Sequence, residues 1–205
     1  MGMNKYEIMN KIIKKYDYVN YLEIGVRHPD GNFNLIDIEH KDGVDPVPMG
    51  DNGEVNYPIT SDEFFEFIKN HDIKYDLIFI DGLHLYEQVL KDISNSLNHL
   101  TDNGTIVLHD CNPITEARQV DEYDGYSAWN GTTWKAWVEY RCKRDDLDMF
   151  VIDADEGCGV IRKGSQEVWD KAPLNKCIQY SYLENNRNKL LNLINLTEFE
   201  KWIKS

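Results

Sequence analysis

The apolar positions along the chain change period several times, and each change marks an element. From Asn4 to Tyr16 they fall at Tyr6, Ile8, Met9, Ile12 and Ile13, the spacing of one helical face. "YVNYLEIGV", Tyr18 to Val26, is a continuous apolar run ending near a glycine, which predicts a buried strand. "RHPDGN", Arg27 to Asn32, is punctuated by Pro and Gly and predicts a loop. "FNLIDIEH" then starts as a short helix or turn. "KDGVDPV", Lys41 to Val47, reads as a second strand closed by an acid, and "PMGDNGEVNYP" as another loop. The strand count leaves room for a short third strand before Ser61.

"SDEFFEFIKNH", Ser61 to His71, opens with helix-capping chemistry at Ser61. "YDLIFID" is the fourth strand; its unbroken run from Leu77 to Ile80 suits a strand covered on both faces. Tyr86, Val89, Leu90, Ile93, Leu97 and Leu100 form the next helical face, and "DNG" predicts its stop, with Gly104 as the C-terminal residue. "TIVLHD", Thr105 to Asp110, is the fifth strand. A long polar stretch, Cys111 to Gly131, leads to a helix from about Thr133 to Arg144. "MFVIDAD" and "GCGVIRKG" predict an antiparallel hairpin through an Asp-Glu-Gly turn. Ile178 to Ile203 has helical spacing.

Strand and helix alternate from Tyr18 to Asp110. That alternation predicts an α/β fold, a Rossmann-like doubly wound sheet, mostly parallel, with the C-terminal hairpin supplying an antiparallel strand. The chain's 205 residues suit one domain: an N-terminal helix over 1–17, a core over 18–163 and a helical extension over 164–205.

Charge and cysteine content narrow the partners. A net charge of −14 disfavours a nucleic-acid partner, which wants a basic face. No apolar run approaches the ~20 residues needed to cross a bilayer, so no membrane partner is expected. Met1 to Tyr16 interleaves Lys5, Lys11, Lys14 and Lys15 with apolar residues and offers no cleavage site, so a cytoplasmic protein is expected. Cys111, Cys142, Cys158 and Cys177 lack metal-binding spacing and are expected as reduced thiols. The sequons at Asn103, Asn130 and Asn195 then carry no weight.

Ligands of such sheets bind where the strands end. After the first strand come Glu23 and Gly25; after the second, Asp45; after the fourth, Asp81 and His84; after the fifth, His109 and Asp110. Gly25 lets a ligand approach the backbone. Asp45, ~20 residues further on, is placed to accept both hydroxyls of a ribose. Together they favour an adenosine-containing ligand.

Here the chain resembles the class I S-adenosylmethionine-dependent methyltransferases. "LEIGV" is similar to their first motif and "GVDP" to the acidic end of their second strand. "YDLIFIDGLHLYEQVLKDI" followed by "GTIVLHD" resembles the branch described as a type 24 methyltransferase domain, to which macrocin-type sugar O-methyltransferases and the so-called cephalosporin hydroxylase proteins are more distantly related. The resemblance runs over roughly Tyr18 to Lys163. It implies S-adenosylmethionine as cofactor, held by Glu23, Gly25, Asp45 and Asp81, with Ser61 and Asp62 near the place that faces the adenine. The commoner first motif carries further glycines where this chain has Val26, Arg27 and His28.

Asp81, His84, His109 and Asp110 are the candidate catalytic residues. In one reading Asp81, Asp110 and one of the histidines, His109 foremost, bind Mg²⁺ or another divalent cation. In the other, His84 or His109 is a metal-free general base whose tautomer an aspartate fixes. The stretch Asp121 to Trp137 is aromatic and predicts a binding loop, with Tyr123, Tyr126 and Trp129 as acceptor-stacking residues and Trp134 either with them or in the core. His28, His40, His71 and His99 read as surface or loop residues. The expected activity is methyl transfer to a hydroxyl of a small polar acceptor, a sugar or nucleotide-sugar. A non-catalytic nucleotide-binding module and a metal-dependent hydrolase or hydroxylase on the same scaffold stay open, as does the oligomeric state, with a homodimer among the options.

Overall fold

The computed structural model describes residues 2–125 and 128–205; Tyr126 lies outside the described residues. Seven strands form one sheet: β1 (Asn20–Ile24), β2 (His40–Val44), β3 (Tyr75–Ile80), β4 (Leu100–Leu108), β5 (Leu147–Ile152), β6 (Cys158–Lys163) and β7 (Leu193–Ile194). Their order is β2-β1-β3-β4-β6-β5-β7. β6 runs antiparallel to both its neighbours, and every other pairing is parallel. The expected architecture is therefore present.

Alternation within the strands explains why both faces are covered. In β3, Ile78 and Ile80 join one core while Leu77 and Phe79 join the other, and all four are buried. Successive strand residues point to opposite faces, so such a strand needs a partner layer on each side. Helices α2 (Ser61–Ile68), α3 (Tyr86–Asn98), α4 (Thr133–Lys143), α5 (Leu174–Cys177) and α6 (Tyr180–Leu190) serve the first face; α1 (Lys5–Tyr16) and α7 (Leu196–Lys204) serve the second. Among the described residues no helix is long and apolar enough to cross a membrane.

Five details differ from the sequence reading. No third strand precedes Ser61: residues 54–60 make only a single bridge, Val44 to Tyr57, because Pro58 and the Asn- and Gly-rich loop before it give no run to pair. The cap of α2 is Thr60, not Ser61; the Thr60 side chain accepts from Glu63 N and the Glu63 carboxylate answers Thr60 N. Leu100 and Gly104 belong to β4, not to the end of α3. The segment bulges, so that Leu100 pairs with Tyr75 but Thr105 pairs with Leu77. The C-terminal stretch is broken by β7, which extends the sheet beside β5. His99 is buried, its Nδ1 2.9 Å from the carbonyl of Ile73.

Trp134 and Trp137 are fully buried, which settles Trp134 in the core and removes it from the acceptor loop. All four cysteines are free thiols.

Candidate functional site

In the strand order the carboxyl ends of β2, β1, β3 and β4 stand in a row, and the residues that follow them gather around a cavity of about 840 Å³. Its floor is the crossing of β1 and β3. Gly25 has φ +89° and donates its N–H to Val44 O at 2.8 Å, while Asp81 N donates to Ile24 O at 2.8 Å. A Cβ on residue 25 would stand 2.3 Å from the carbonyl oxygen of Asp81, so only glycine lets the two ends close.

Glu23 follows from the strand period. Tyr21 and Glu23 share one face of β1, and the Tyr21 hydroxyl donates to Glu23 Oε2 at 2.6 Å. Asn32 Nδ2 donates to the same oxygen at 2.9 Å. Burial pushes the Glu23 carboxyl up to about 7, against the pull of those two hydrogen bonds. Glu23 thus anchors the Arg27–Asn32 loop, and the buried Oδ1 of Asn32 is left without a partner.

The glycines missing from the first motif have a substitute. Arg27 adopts φ +46°, and its N–H donates to Asp45 Oδ2 at 2.8 Å; Val47 N donates to Asp45 Oδ1 at 2.8 Å. Each carboxylate oxygen keeps a further lone pair for a ligand hydroxyl. At the far end, Gln88 Nε2 donates to Ser61 Oγ at 3.2 Å, Asp62 Oδ1 at 3.0 Å and Asp92 Oδ1 at 3.1 Å, which ties α2 to α3 beside the cavity. Lys91 also pairs with Asp62, at 2.9 Å.

The acid and imidazole groups meet at the other end. Asp81 Oδ1 lies 3.2 Å from His84 Nε2 and 3.1 Å from His109 Nδ1, and Asp81 Oδ2 lies 2.5 Å from Lys5 Nζ. His109 Nδ1 donates to Asp110 Oδ2 at 3.0 Å, and Asn130 Nδ2 donates to Asp110 Oδ1 at 2.6 Å. Burial alone would raise the Asp81 carboxyl; His109, His84 and Lys5 outweigh it and hold it well below the usual carboxylate range. The same pairs, acting against burial, raise His84 and lift His109 well above the ordinary imidazole value. Asp81 and His84 line the cavity; His109 and Asp110 are buried beside them without lining it.

One face of His84 is covered. Its ring stacks on Trp129 with centroids 5.0 Å apart, and Tyr123 lies 5.5 Å from Trp129. Gly131 has φ +58°, and a Cβ there would stand 2.2 Å from His84 O. That close approach lets Thr132 N donate to His84 O at 2.7 Å while Thr132 Oγ1 accepts from Tyr86 N at 2.9 Å, so the starts of α3 and α4 are joined at His84.

Sequence reasoning missed Lys5, Asn32, Gln88, Asn130 and Asp155 as members of the site. Lys5 read as one of several helix charges and Asp155 as a turn residue. Yet Asp155 Oδ2 accepts from Lys5 N at 2.6 Å, and its Oδ1 lies 3.7 Å from His109 Nε2.

The residues present fit S-adenosylmethionine. The Gly25 cradle admits no Cβ, Asp45 keeps acceptor capacity for a ribose, and the orphaned oxygen of Asn32 has a use beside a bound ligand. For a cation, Asp81, His84 and Asp110 each bring one ligand atom within 4.8 Å of the others, an oxygen and imidazole donor set. That grouping contains His84 and not His109, whose Nδ1 lies between the two carboxylates, 3.1 Å from Asp81 Oδ1 and 3.0 Å from Asp110 Oδ2.

Two substitutions test this geometry. A carboxyl whose pKa is about 7 folded and 4.5 unfolded loses stability as pH rises between those values. The difference corresponds to on the order of 3 kcal/mol. Glu23→Gln should therefore lose less stability than wild type between about pH 5 and pH 8 in urea titrations; equal slopes would refute the assignment. Gly25→Ala should lower unfolding stability by roughly 2–4 kcal/mol, and an unchanged urea midpoint would show that the β1–β3 crossing is not constrained as described.

Residues 23–111 match a family described as a methyltransferase domain. A search of curated proteins gave no match. Among solved structures the chain is similar to the S-adenosylhomocysteine-bound methyltransferase PaMTH1 of Podospora anserina, at 15% identity, a TM-score of 0.57 and 78% coverage of each chain. It is similar to the O-methyltransferase TomG of Streptomyces achromogenes, solved with S-adenosylmethionine, at 10% identity and a TM-score of 0.53, over 77% of this chain and 79% of that one. A third is an O-methyltransferase of Bacillus cereus in complex with S-adenosylhomocysteine, at 12% identity and a TM-score of 0.51, over 77% and 78%. Residues 23–111 thus match a methyltransferase domain, and the chain shares the fold of these methyltransferases.

Proposed function

We propose that the chain methylates a hydroxyl oxygen of a small polar acceptor, a sugar or nucleotide-sugar, with His84 as general base. The observation that carries this reading is the single cavity in which the Gly25–Asp45 wall adjoins the Asp81–His84 pair under an aromatic cover. S-adenosylmethionine supplies a methyl group on a good leaving group, so the protein's part is alignment and removal of a proton. Glu23, through Asn32, and Gly25 and Asp45 directly shape the cofactor half. Ser61, Asp62 and Gln88 border its outer end.

His84 does the proton work. Nε2–H donates to Asp81 Oδ1, which leaves Nδ1 as the accepting nitrogen. Nδ1 is buried without a hydrogen-bond partner, and Asp110 Oδ2, 3.3 Å away, is placed to stabilise the imidazolium once His84 takes up the acceptor's proton. His109 Nδ1 bridges the two aspartates, 3.1 Å from Asp81 Oδ1 and 3.0 Å from Asp110 Oδ2. Tyr123 and Trp129 give the acceptor ring a surface to stack on, a mode that suits the apolar face of a pyranose as well as a base.

The same unpartnered nitrogen supports a second reading, in which Asp81, His84 and Asp110 hold a divalent cation. Such an ion would lower the acceptor hydroxyl's pKa directly.

Transfer of labelled methyl from S-adenosylmethionine to a panel of sugars and nucleotide-sugars tests the activity; a chain that binds the cofactor yet labels none of them sinks the acceptor class. His84→Ala should reduce turnover by about 10²–10⁴-fold. A base must be neutral, and His84 is raised, so kcat/KM should climb with pH along a limb above the ordinary ~6.5 of imidazole. Asp81→Asn should move that limb to lower pH, since it removes the partner that raises His84. A limb that stays put argues against His84. For the cation reading, titration with Mg²⁺, Mn²⁺ and Ca²⁺ should raise thermal stability and turnover together; no response to any of them, with turnover intact after chelation, eliminates it.

A further inference from the structure

We propose that Arg118 and Glu156 form the clasp that seats the acceptor surface, a pair of positioning residues that keeps Trp129 against His84 and Asn130 against Asp110. The inference rests on the reading of Tyr123 and Trp129 as the acceptor surface and adds the groups that set their place.

Glu156 is presented by backbone with little freedom. Asp155, Glu156 and Gly157 follow one another with φ +46°, +61° and +91° in the turn between β5 and β6. Residues other than glycine keep that region only where their surroundings insist, and such positions gather at functional sites. Here the surroundings are the chain that leaves β4. Asn112 N donates to Glu156 O at 3.0 Å, and Cys111 N donates to Gly157 O at 2.9 Å. A Cβ on residue 157 would stand 2.5 Å from Asn112 Cβ.

One oxygen of Glu156 then gathers both ends of the aromatic loop. Arg118 closes the 3₁₀ turn Glu116–Arg118, and its Nη1 donates to Glu156 Oε2 at 2.6 Å. Asn130 Nδ2 donates to the same oxygen at 3.3 Å and to Asp110 Oδ1 at 2.6 Å. The backbone repeats the closure, with Asn130 N donating to Arg118 O at 2.9 Å. Trp129 Nε1 donates to Val120 O at 2.6 Å, so the indole moves with the loop. Trp129 lies before Asn130 and covers the His84 ring, while Thr132 follows and binds the His84 carbonyl. A shift of Asn130 is therefore felt at His84 from two directions.

Charge explains why the clasp needs Arg118. The Asn130 amide directs both its hydrogens at carboxylates. Two anions on one amide repel each other, and His109 already compensates Asp110. Arg118 does the same for Glu156. Without it, the Glu156 side chain, 38% exposed, is better solvated by water than by Asn130. An ion pair open to solvent contributes little to global stability, so its effect falls on the loop rather than on the fold.

Fluorescence tests this without any acceptor. Acrylamide quenching of Trp129 is read as the difference between each protein and the same protein carrying Trp129→Phe. Arg118→Met should loosen the loop locally and raise that quenching about twofold or more. It should leave the urea midpoint near that of wild type and the affinity for S-adenosylhomocysteine within twofold. Arg118→Lys should restore most of the protection. Raising salt to about 1 M, where the screening length is ~3 Å, should expose Trp129 in wild type and change nothing in Arg118→Met. With an acceptor from the sugar panel, Arg118→Met should raise the acceptor's KM about tenfold and leave that of S-adenosylmethionine unchanged. Quenching that is the same in every variant and at both salt concentrations overturns the proposal. So does an equal loss of cofactor affinity, which would make the pair a general prop. The expected quenching in a chain that methylates no sugar upholds the clasp and sinks the acceptor reading. If Arg118→Met does not fold, Glu156→Gln decides: it keeps an oxygen for Asn130 but drops the charge, and unchanged quenching there refutes the clasp.

Discussion

A carboxylate buried at the end of a central strand must be compensated, and around Asp81 the compensation comes from three directions. Lys5 arrives from α1, His84 from the turn before α3 and His109 from the end of β4. Removing one partner of a buried ion pair leaves a charge stranded, which typically costs about 3–5 kcal/mol. Asp81 therefore ties both faces of the sheet to its middle, and the geometry of the acid–imidazole cluster follows from that requirement. The Gly25 crossing beneath it is the steric half of the same constraint.

Much of the sheet was legible because its information is local. The unbroken run from Leu77 to Ile80 announces a strand covered twice, and Ile8, Met9, Ile12 and Ile13 announce a helix with one buried stripe. The strand-end residues followed from topology alone: once β1, β2, β3 and β4 are parallel neighbours, Gly25, Asp45, Asp81 and Asp110 must share an edge. What failed was local in another way. Gly104 after "DN" looks like a helix stop, yet the bulge in β4 absorbs those residues, because pairing with β3 overrides the turn signal. Thr60 rather than Ser61 caps α2, since Glu63 stands at the spacing that completes a capping box with Thr60. Lys5 and Asp155 carry no motif; they join the site only because α1 crosses the sheet beside the β5–β6 turn, a fact of tertiary structure.

Backbone strain gathers in the same place. Arg27, Asp110, Asp155 and Glu156 all have left-handed φ values, between 46° and 61°. Non-glycine residues adopt that region at a cost and keep it when their surroundings insist. Arg27 is held by Asp45, Asp110 by His109 and Asn130, and Asp155 by Lys5. The loop after β1 achieves with hydrogen bonds what a glycine-rich loop achieves with freedom.

The seat of α1 has one more consequence. Its apolar stripe packs with Phe199, Lys11 pairs with Glu200 at 3.0 Å, and Lys15 Nζ reaches the carbonyl of Ile203 at 3.3 Å. α1 precedes every strand of the sheet and α7 follows them all, so the helix that carries Lys5 owes part of its apolar cover to the helix farthest from it along the described residues.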